Sequence, residues 1–352
     1  MIAVNARFLT QKLTGVQRFA IELSTRLKDR LGDEVVFLSP GNVTHEDIAT
    51  RLGNKVIGSH TGHLWEQWDL PRALRKMGSP LLLCLGNTAP ILYANKVDTL
   101  HDITFIRYPG TYSRKFRLFY RLMIPLVIRS SRHVITVSEF SKTEISSYYH
   151  VAPGKIDVVY NAVGPGFRNV KEEKPSGERY LITVSSLKEN KNFQTAVMAF
   201  LAVEREMPGL RLYIVGDLAT GNFKAMPGLL ETCENNPHIK LLGRVSDEEL
   251  IRYYSNALAF LFPSFYEGFG IPVLEAQACG CPVIASDTSS LPEVLGDSAM
   301  LCDPHKAEEF SEAIKRVAGE DGLRKELIRR GLDNVRRFSW EASVERLLGI
   351  LR

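Results

Sequence analysis

The chain has 352 residues, 45% of them hydrophobic, which is enough for two domains of ordinary size, each with its own core. Its net charge of +4 is unevenly spread: residues 1–160 hold 21 basic against 13 acidic side chains, the rest 23 against 27. No apolar run approaches the length of a membrane span, and the first residues read as a strand rather than a signal peptide. Five cysteines (Cys84, Cys233, Cys279, Cys281 and Cys302) show no metal-type clustering. That argues against structural zinc and a disulfide framework, and a reducing cytosol is the expected setting.

In chain order, a strand at 2–5 leads through a loop holding Gly15 to a helix from about 16 to 31. Strands follow at 35–39, 81–85, 98–100 and 133–137, with helices at 65–76, 113–129 and 141–149. Trp65, Trp68 and the Tyr148–Tyr149 pair read as packing residues, and Glu139 as a helix-capping residue rather than a catalytic base, with Ser138 as the cap itself. Between Asp102 and Glu139 there is no acidic residue. That interval carries Arg107, Arg114, Lys115, Arg117, Arg121, Arg129 and Arg132, interleaved with aromatic and aliphatic side chains. Such a segment suits the surface of an anionic membrane. Nucleic acid is disfavoured, because no binding motif accompanies the charge.

A Pro- and Gly-containing stretch marks a boundary near residue 160. The alternation then restarts with strands at 180–185, 211–215, 239–242, 257–262 and 281–285, and helices at 193–206, 247–255 and 272–279. An amphipathic helix at 340–351 ends the chain. The reading is α/β with two Rossmann-like doubly wound domains facing a cleft: 1–160, 161–338, and a helix within 339–352 that packs back on the first domain.

The stretch EGFGIPVLE, from Glu267 to Glu275, is the most informative. It joins a buried strand to a helix with Pro in its first turn, so its loop lies at the carboxyl edge of a parallel sheet, where open α/β folds bind ligands. Gly268 and Gly270 let backbone approach a ligand, and the helix N-terminus offers unpaired amides to an anion. One carboxylate beside a phosphate suits a ribose, and a second suits another hydroxylated ring. Together they describe a nucleotide sugar. A dinucleotide reading would use Asp287 as its ribose acid, but Val273 stands where the third glycine of that fingerprint belongs.

Glu267 and Glu275 form the E-x7-E pattern, and around them the chain resembles the retaining glycosyltransferases of the GT-B fold, family GT4, of the bacterial polysaccharide mannosyltransferase type. The stretches TLHDITFIRYP, VITVSEFSK, VVYNAV, SSLKENKN, LLGRVSDEEL and RFSW fall in family order and extend the resemblance over most of the chain. It implies that Glu275 binds the nucleotide ribose and that Glu267, with the amides of Phe269 and Gly270, binds the donor sugar. Lys191 takes the position that neutralises the diphosphate, and the segment Gly243, Arg244, Val245 faces the base. His101 and Asp102 match the HD pair, with His101 near the donor sugar and phosphate, and Gly15 falls on the glycine loop facing phosphates and acceptor. Relatives often carry an arginine near the lysine, where this chain has Ser186 or Asn190. Lys188 or Arg18 is then the candidate second cation.

The same resemblance implies transfer of a hexose from a nucleotide sugar, GDP-mannose favoured, to a glycan or lipid-linked glycan acceptor in O-antigen or capsule assembly. Retention would come from front-face attack in which the leaving phosphate takes the acceptor proton. No metal is expected, since no D-x-D occurs in the sequence. The expected location is peripheral, at the inner face of the cytoplasmic membrane. Rhamnosyl- or other hexosyltransferases of the same fold are the alternatives, with a nucleotide-sugar epimerase behind them.

Overall fold

The computed structural model describes residues 1–170, 178–184, 188–216 and 228–352. The chain divides into two compact units. The first comprises Met1–Ile103, Tyr112–Asn161 and Ser339–Arg352, and the second Thr104–Thr111 and Ala162–Phe338. Residues 104–111, which sequence reasoning assigned to the first domain, therefore pack with the second.

Among the described residues the first unit has a seven-stranded sheet. Its strands are β1 (Ile2–Asn5), β2 (Val35–Ser39), β3 (Lys55–Val56), β4 (Leu81–Cys84), β5 (Lys96–Thr99), β6 (His133–Thr136) and β7 (Ile156–Val158). Their order is β3-β2-β1-β4-β5-β6-β7 and every pairing is parallel. The chain winds outward from β1 in one direction and then from β4 in the other, so the strand order reverses between β1 and β4.

The second unit has six parallel strands in the described residues. They are β8 (Arg179–Val184), β9 (Leu210–Val215), β10 (Ile239–Gly243), β11 (Ala259–Phe262), β12 (Val283–Ser286) and β13 (Met300–Cys302), in the order β10-β9-β8-β11-β12-β13. Here the reversal falls between β8 and β11.

The central strands of both sheets include short apolar runs buried along their length, as in Val35–Ser39 and Ala259–Phe262. That is the pattern of strands covered by helices on both faces. In the second unit Leu212, Ile214, Leu261 and Ile284 meet Phe200 and Phe310 from flanking helices. In the first, Leu38 and Leu82 meet Trp65, Leu70 and Val127.

The differences from expectation are local. A single helix over 65–76 is instead a short turn at Gly62–Leu64, a π-helical turn at Trp65–Asp69 and a helix at Leu70–Lys76. Trp65 is a packing residue, fully buried, with its indole N–H donating to the Ile57 carbonyl at 2.7 Å. Trp68 is not: it is 54% exposed, beneath the Arg72 guanidinium at 4.9 Å. Gly15 opens the helix Gly15–Leu31 rather than lying in the loop before it.

The last helix, Trp340–Leu351, belongs to the first unit. Its Ser343 hydroxyl donates to the Tyr160 carbonyl at 2.7 Å, and Arg346 pairs with Asp157 at 2.8 Å. Arg26 and Arg30 of the first long helix hold Glu341 and Glu345.

Candidate functional site

The loops following β8 and β11, the two strands flanking the reversal in the second sheet, converge in one ion pair. Lys191 Nζ lies 2.6 Å from Glu267 Oε1. Lys191 ends a 3-10 turn at Glu189–Lys191 and Glu267 lies in the loop after β11. Their side chains are 23% and 10% exposed, so each is held largely out of water and opposite charge compensates part of the desolvation. The crevice at such a reversal is where doubly wound sheets place their ligands.

The loop is fixed by bonds that sequence reasoning did not foresee. Asn190 is buried, its amide donating to the Tyr266 carbonyl at 3.0 Å, while the Phe265 N–H donates to the Asn190 carbonyl at 2.8 Å. A position expected to matter for diphosphate charge thus joins the two loops. Asn192 adopts the left-handed conformation at φ +47°, which Asn tolerates better than most residues. Its amide donates to the carbonyls of Pro263 and Pro304 at 2.9 and 2.8 Å. From the loop after β12, Ser289 Oγ accepts the Glu267 N–H at 3.2 Å and Ser290 Oγ donates to the Glu267 carbonyl at 3.0 Å. Ser289 sits at φ +58°, backbone strain of the kind that gathers at functional sites.

Gly270 caps the helix Ile271–Ala278 at φ +94°, and a Cβ there would stand 2.8 Å from Leu291 Cδ2. Pro272 lies in the first turn, where its missing N–H leaves no intrahelical bond unmade. The amides that follow Gly268, Phe269 and Gly270 are therefore at the positive end of the helix. Phe269 is buried edge-on against Phe338, centroids 5.4 Å apart. Glu275 lies on the second turn and is buried. Its charge adds to burial in pushing the Tyr254 hydroxyl well up and the Cys279 thiol up to about 12.

On the other side of β8, Gly243 ends β10 at φ +67°. Arg244 is exposed and Val245 half-buried, just before Ser246 caps the next helix with a reciprocal Glu249 bond. Lys188 is exposed beside the Glu189–Lys191 turn. Ser186 lies outside the described residues.

In the first unit His101 is buried at the end of the segment after β5. Its backbone N–H donates to Asn87 Oδ1 at 2.9 Å and its carbonyl accepts from Thr136 Oγ1 at 3.1 Å. The ring Nε2–H donates to the Leu85 carbonyl at 3.2 Å, which leaves Nδ1 as an acceptor. Burial lowers the His101 pKa, outweighing the Leu85 carbonyl and the Asp102 charge, both of which favour the cation. Burial therefore favours the neutral imidazole. Phe19 packs edge-on to it at 4.9 Å, and Trp340 of the last helix packs on Phe19 at 6.1 Å. Asp102 is half-buried and Gly15 exposed.

Residues 13–166 match the family described as Glycosyltransferase Family 4, and residues 167–333 the family described as Glycosyl transferases group 1. The chain is 28% identical over 329 residues to the O-antigen chain mannosyltransferase RfbU of Salmonella typhimurium, covering 89% of this chain and 90% of the relative. It is 29% identical over 356 residues to the O-antigen chain mannosyltransferase B of Escherichia coli, covering 94% and 93%. Among solved structures it is similar to Anabaena HepE in complex with UDP and glucose, with TM-score 0.76, 18% identity and coverage of 99% and 98%. With both halves matched in order and a GT-B fold of two parallel-sheet units, the chain belongs to the family 4 glycosyltransferases.

Proposed function

We propose that the protein transfers mannose from GDP-mannose to a hydroxyl of a lipid-linked glycan, with retention of anomeric configuration and without a resident metal. The observation that carries this reading is the Lys191–Glu267 pair, set at the strand-order reversal ahead of the helix Ile271–Ala278. Two O-antigen mannosyltransferases among the relatives support mannose over other hexoses.

The chemistry follows from charge. As the glycosidic bond breaks, negative charge grows on the diphosphate and positive charge on the sugar ring. Lys191 and the amides at the start of the helix meet the first, the work a metal would do elsewhere. Glu267, released from Lys191 when the diphosphate takes that cation, accepts hydrogen bonds from sugar hydroxyls. Glu275 takes the ribose, and the neutral His101 offers Nδ1 to a hydroxyl. The leaving phosphate accepts the acceptor proton, so no protein base is assigned. A UDP-hexose is the second reading, favoured by the UDP and glucose bound to HepE.

The basic helix Arg114–Ser130 supports peripheral contact with an anionic membrane at its cytoplasmic face. Leu118, Leu122 and Leu126 form an exposed stripe at 63%, 63% and 46%, with Arg114, Lys115 and Arg121 exposed around it. No helix among the described residues is long and apolar enough to cross a membrane. Label transfer from GDP-[14C]mannose into lipid, in EDTA, tests the enzyme reading, and NMR of the new linkage tests retention. A β-linked mannoside would overturn retention, and transfer only from UDP-sugars would overturn the donor.

A further inference from the structure

A second polar constellation lies at the reversal of the first sheet, where β1 and β4 end, and the donor chemistry above makes no use of it. Glu66 is fully buried on the π-helical turn Trp65–Asp69. Its Oε1 accepts from Asn5 Nδ2 at 2.7 Å and from Arg7 Nε at 3.2 Å, while Arg7 Nη2 donates to Thr88 Oγ1 at 2.6 Å. Asn5 ends β1, Arg7 follows it and Thr88 follows β4. The other oxygen, Oε2, accepts from His63 Nδ1 at 3.3 Å. Burial works against the Glu66 charge, but Arg7 and His63 more than offset it, and the carboxyl is held below its ordinary range.

The consequence is an oriented histidine. With Nδ1–H committed to Glu66, Nε2 is the nitrogen remaining for a ligand. The imidazole is 36% exposed and rests against Phe119 at 4.6 Å. Phe119 is itself 38% exposed, and the adjoining stack of Phe116 on Tyr120, centroids 4.0 Å apart, is half-buried. A purely structural Arg–Glu pair needs neither a π-turn, a feature frequent at functional sites, nor a histidine led from the buried carboxylate to the surface beside open aromatic rings. Aromatic faces stack on the apolar side of a pyranose, and a fixed imidazole nitrogen reads one of its hydroxyls. On the same helix Phe119 borders the Leu122 and Leu126 side of the exposed leucine stripe, and Phe116 and Tyr120 continue the aromatic surface further round the helix.

We infer that His63 and Phe119 form the subsite for the terminal sugar of the acceptor glycan, with Glu66 and Arg7 as positioning residues that fix the His63 imidazole. This rests on the transferase reading above. The test uses the full chain with GDP-[14C]mannose, and membranes of a strain lacking this transferase as the acceptor source. Replacing His63 with Ala should raise the membrane concentration for half-maximal transfer about tenfold, the loss of one ordinary hydrogen bond, with the donor KM at the wild-type value. His63→Gln should recover part of the loss, and Glu66→Gln should resemble His63→Ala. Phe119→Ala, at a half-open surface position, should weaken acceptor dependence with no change in melting temperature. An unchanged acceptor dependence in His63→Ala and Phe119→Ala, or a donor KM that rises with it, would overturn the inference. A wild type that binds no nucleotide sugar and transfers nothing would overturn the transferase reading itself, and this inference with it.

Discussion

Lys191 and Glu267 show how a ligand site can be held ready by its own residues. Each is the other's counter-charge at 2.6 Å, and under the proposed function a bound diphosphate would take over Lys191 and leave Glu267 for hydroxyls. Removing one partner strands the other: Lys191→Met should cost about 1–3 kcal/mol of stability in the absence of donor, from the unpaired carboxylate. Adding Glu267→Gln should recover most of that loss, because the neutral amide needs no counter-charge. Urea unfolding of the two variants and the wild type measures it, and a double variant less stable than Lys191→Met would refute the pairing. His101 makes a second residue-scale prediction. Its pKa is lowered from 6.5 by burial, so in the window between its folded value and 6.5 the unfolded chain binds the extra proton. Stability should therefore rise with pH through that window and fall on acidification. His101→Asn should flatten the dependence of melting temperature on pH there, and an unchanged slope would mean that His101 is not buried neutral.

At the scale of elements, the left-handed Gly270 sets the direction in which the helix Ile271–Ala278 leaves its loop. Gly270→Ala should cost about 1–3 kcal/mol, since both φ +94° and the contact with Leu291 oppose a Cβ, and should weaken donor binding with it. Calorimetric titration against GDP-mannose checks this, and wild-type affinity would show that the helix entry is not critical. The helix Arg114–Ser130 predicts sedimentation with phosphatidylglycerol vesicles that falls with salt and is lost in Leu118→Asp/Leu122→Asp. Equal binding to phosphatidylcholine vesicles would remove the electrostatic part.

Much of this scale was legible in the sequence, because parallel strands buried on both faces read as continuous apolar runs. β2 (Val35–Ser39) came out with its true ends, and E-x7-E fell, as read, across the loop after β11 and the helix Ile271–Ala278. What escaped was short or depended on distant partners. β3 is two exposed residues and β13 three, too few to show a period. Asn192, Ser289 and Ser290 do their work by bonding loops far apart in sequence, so only the fold reveals them. His63 and Glu66 were hidden in a stretch that passes for ordinary helix, and the π-turn that sets Glu66 leaves no clear sequence signal.

At the scale of the molecule, the chain builds two units with the same logic: parallel strands, one reversal of order, and polar groups gathered where the order reverses. The sequence does not run through them once. Residues 104–111 join the second unit, and the final helix returns to the first, where Trp340 reaches Phe19 and through it His101. Nucleotide-sugar binding by the second unit's reversal is the claim on which the rest depends. The most direct measurement is a thermal-shift panel of GDP-, UDP-, dTDP- and ADP-sugars in EDTA, on the wild type and Glu275→Ala. A ligand that binds the folded state raises its melting temperature by mass action. The expected result is a shift with GDP-mannose that Glu275→Ala loses. No shift with any sugar nucleotide, or an equal shift in the variant, would contradict the site.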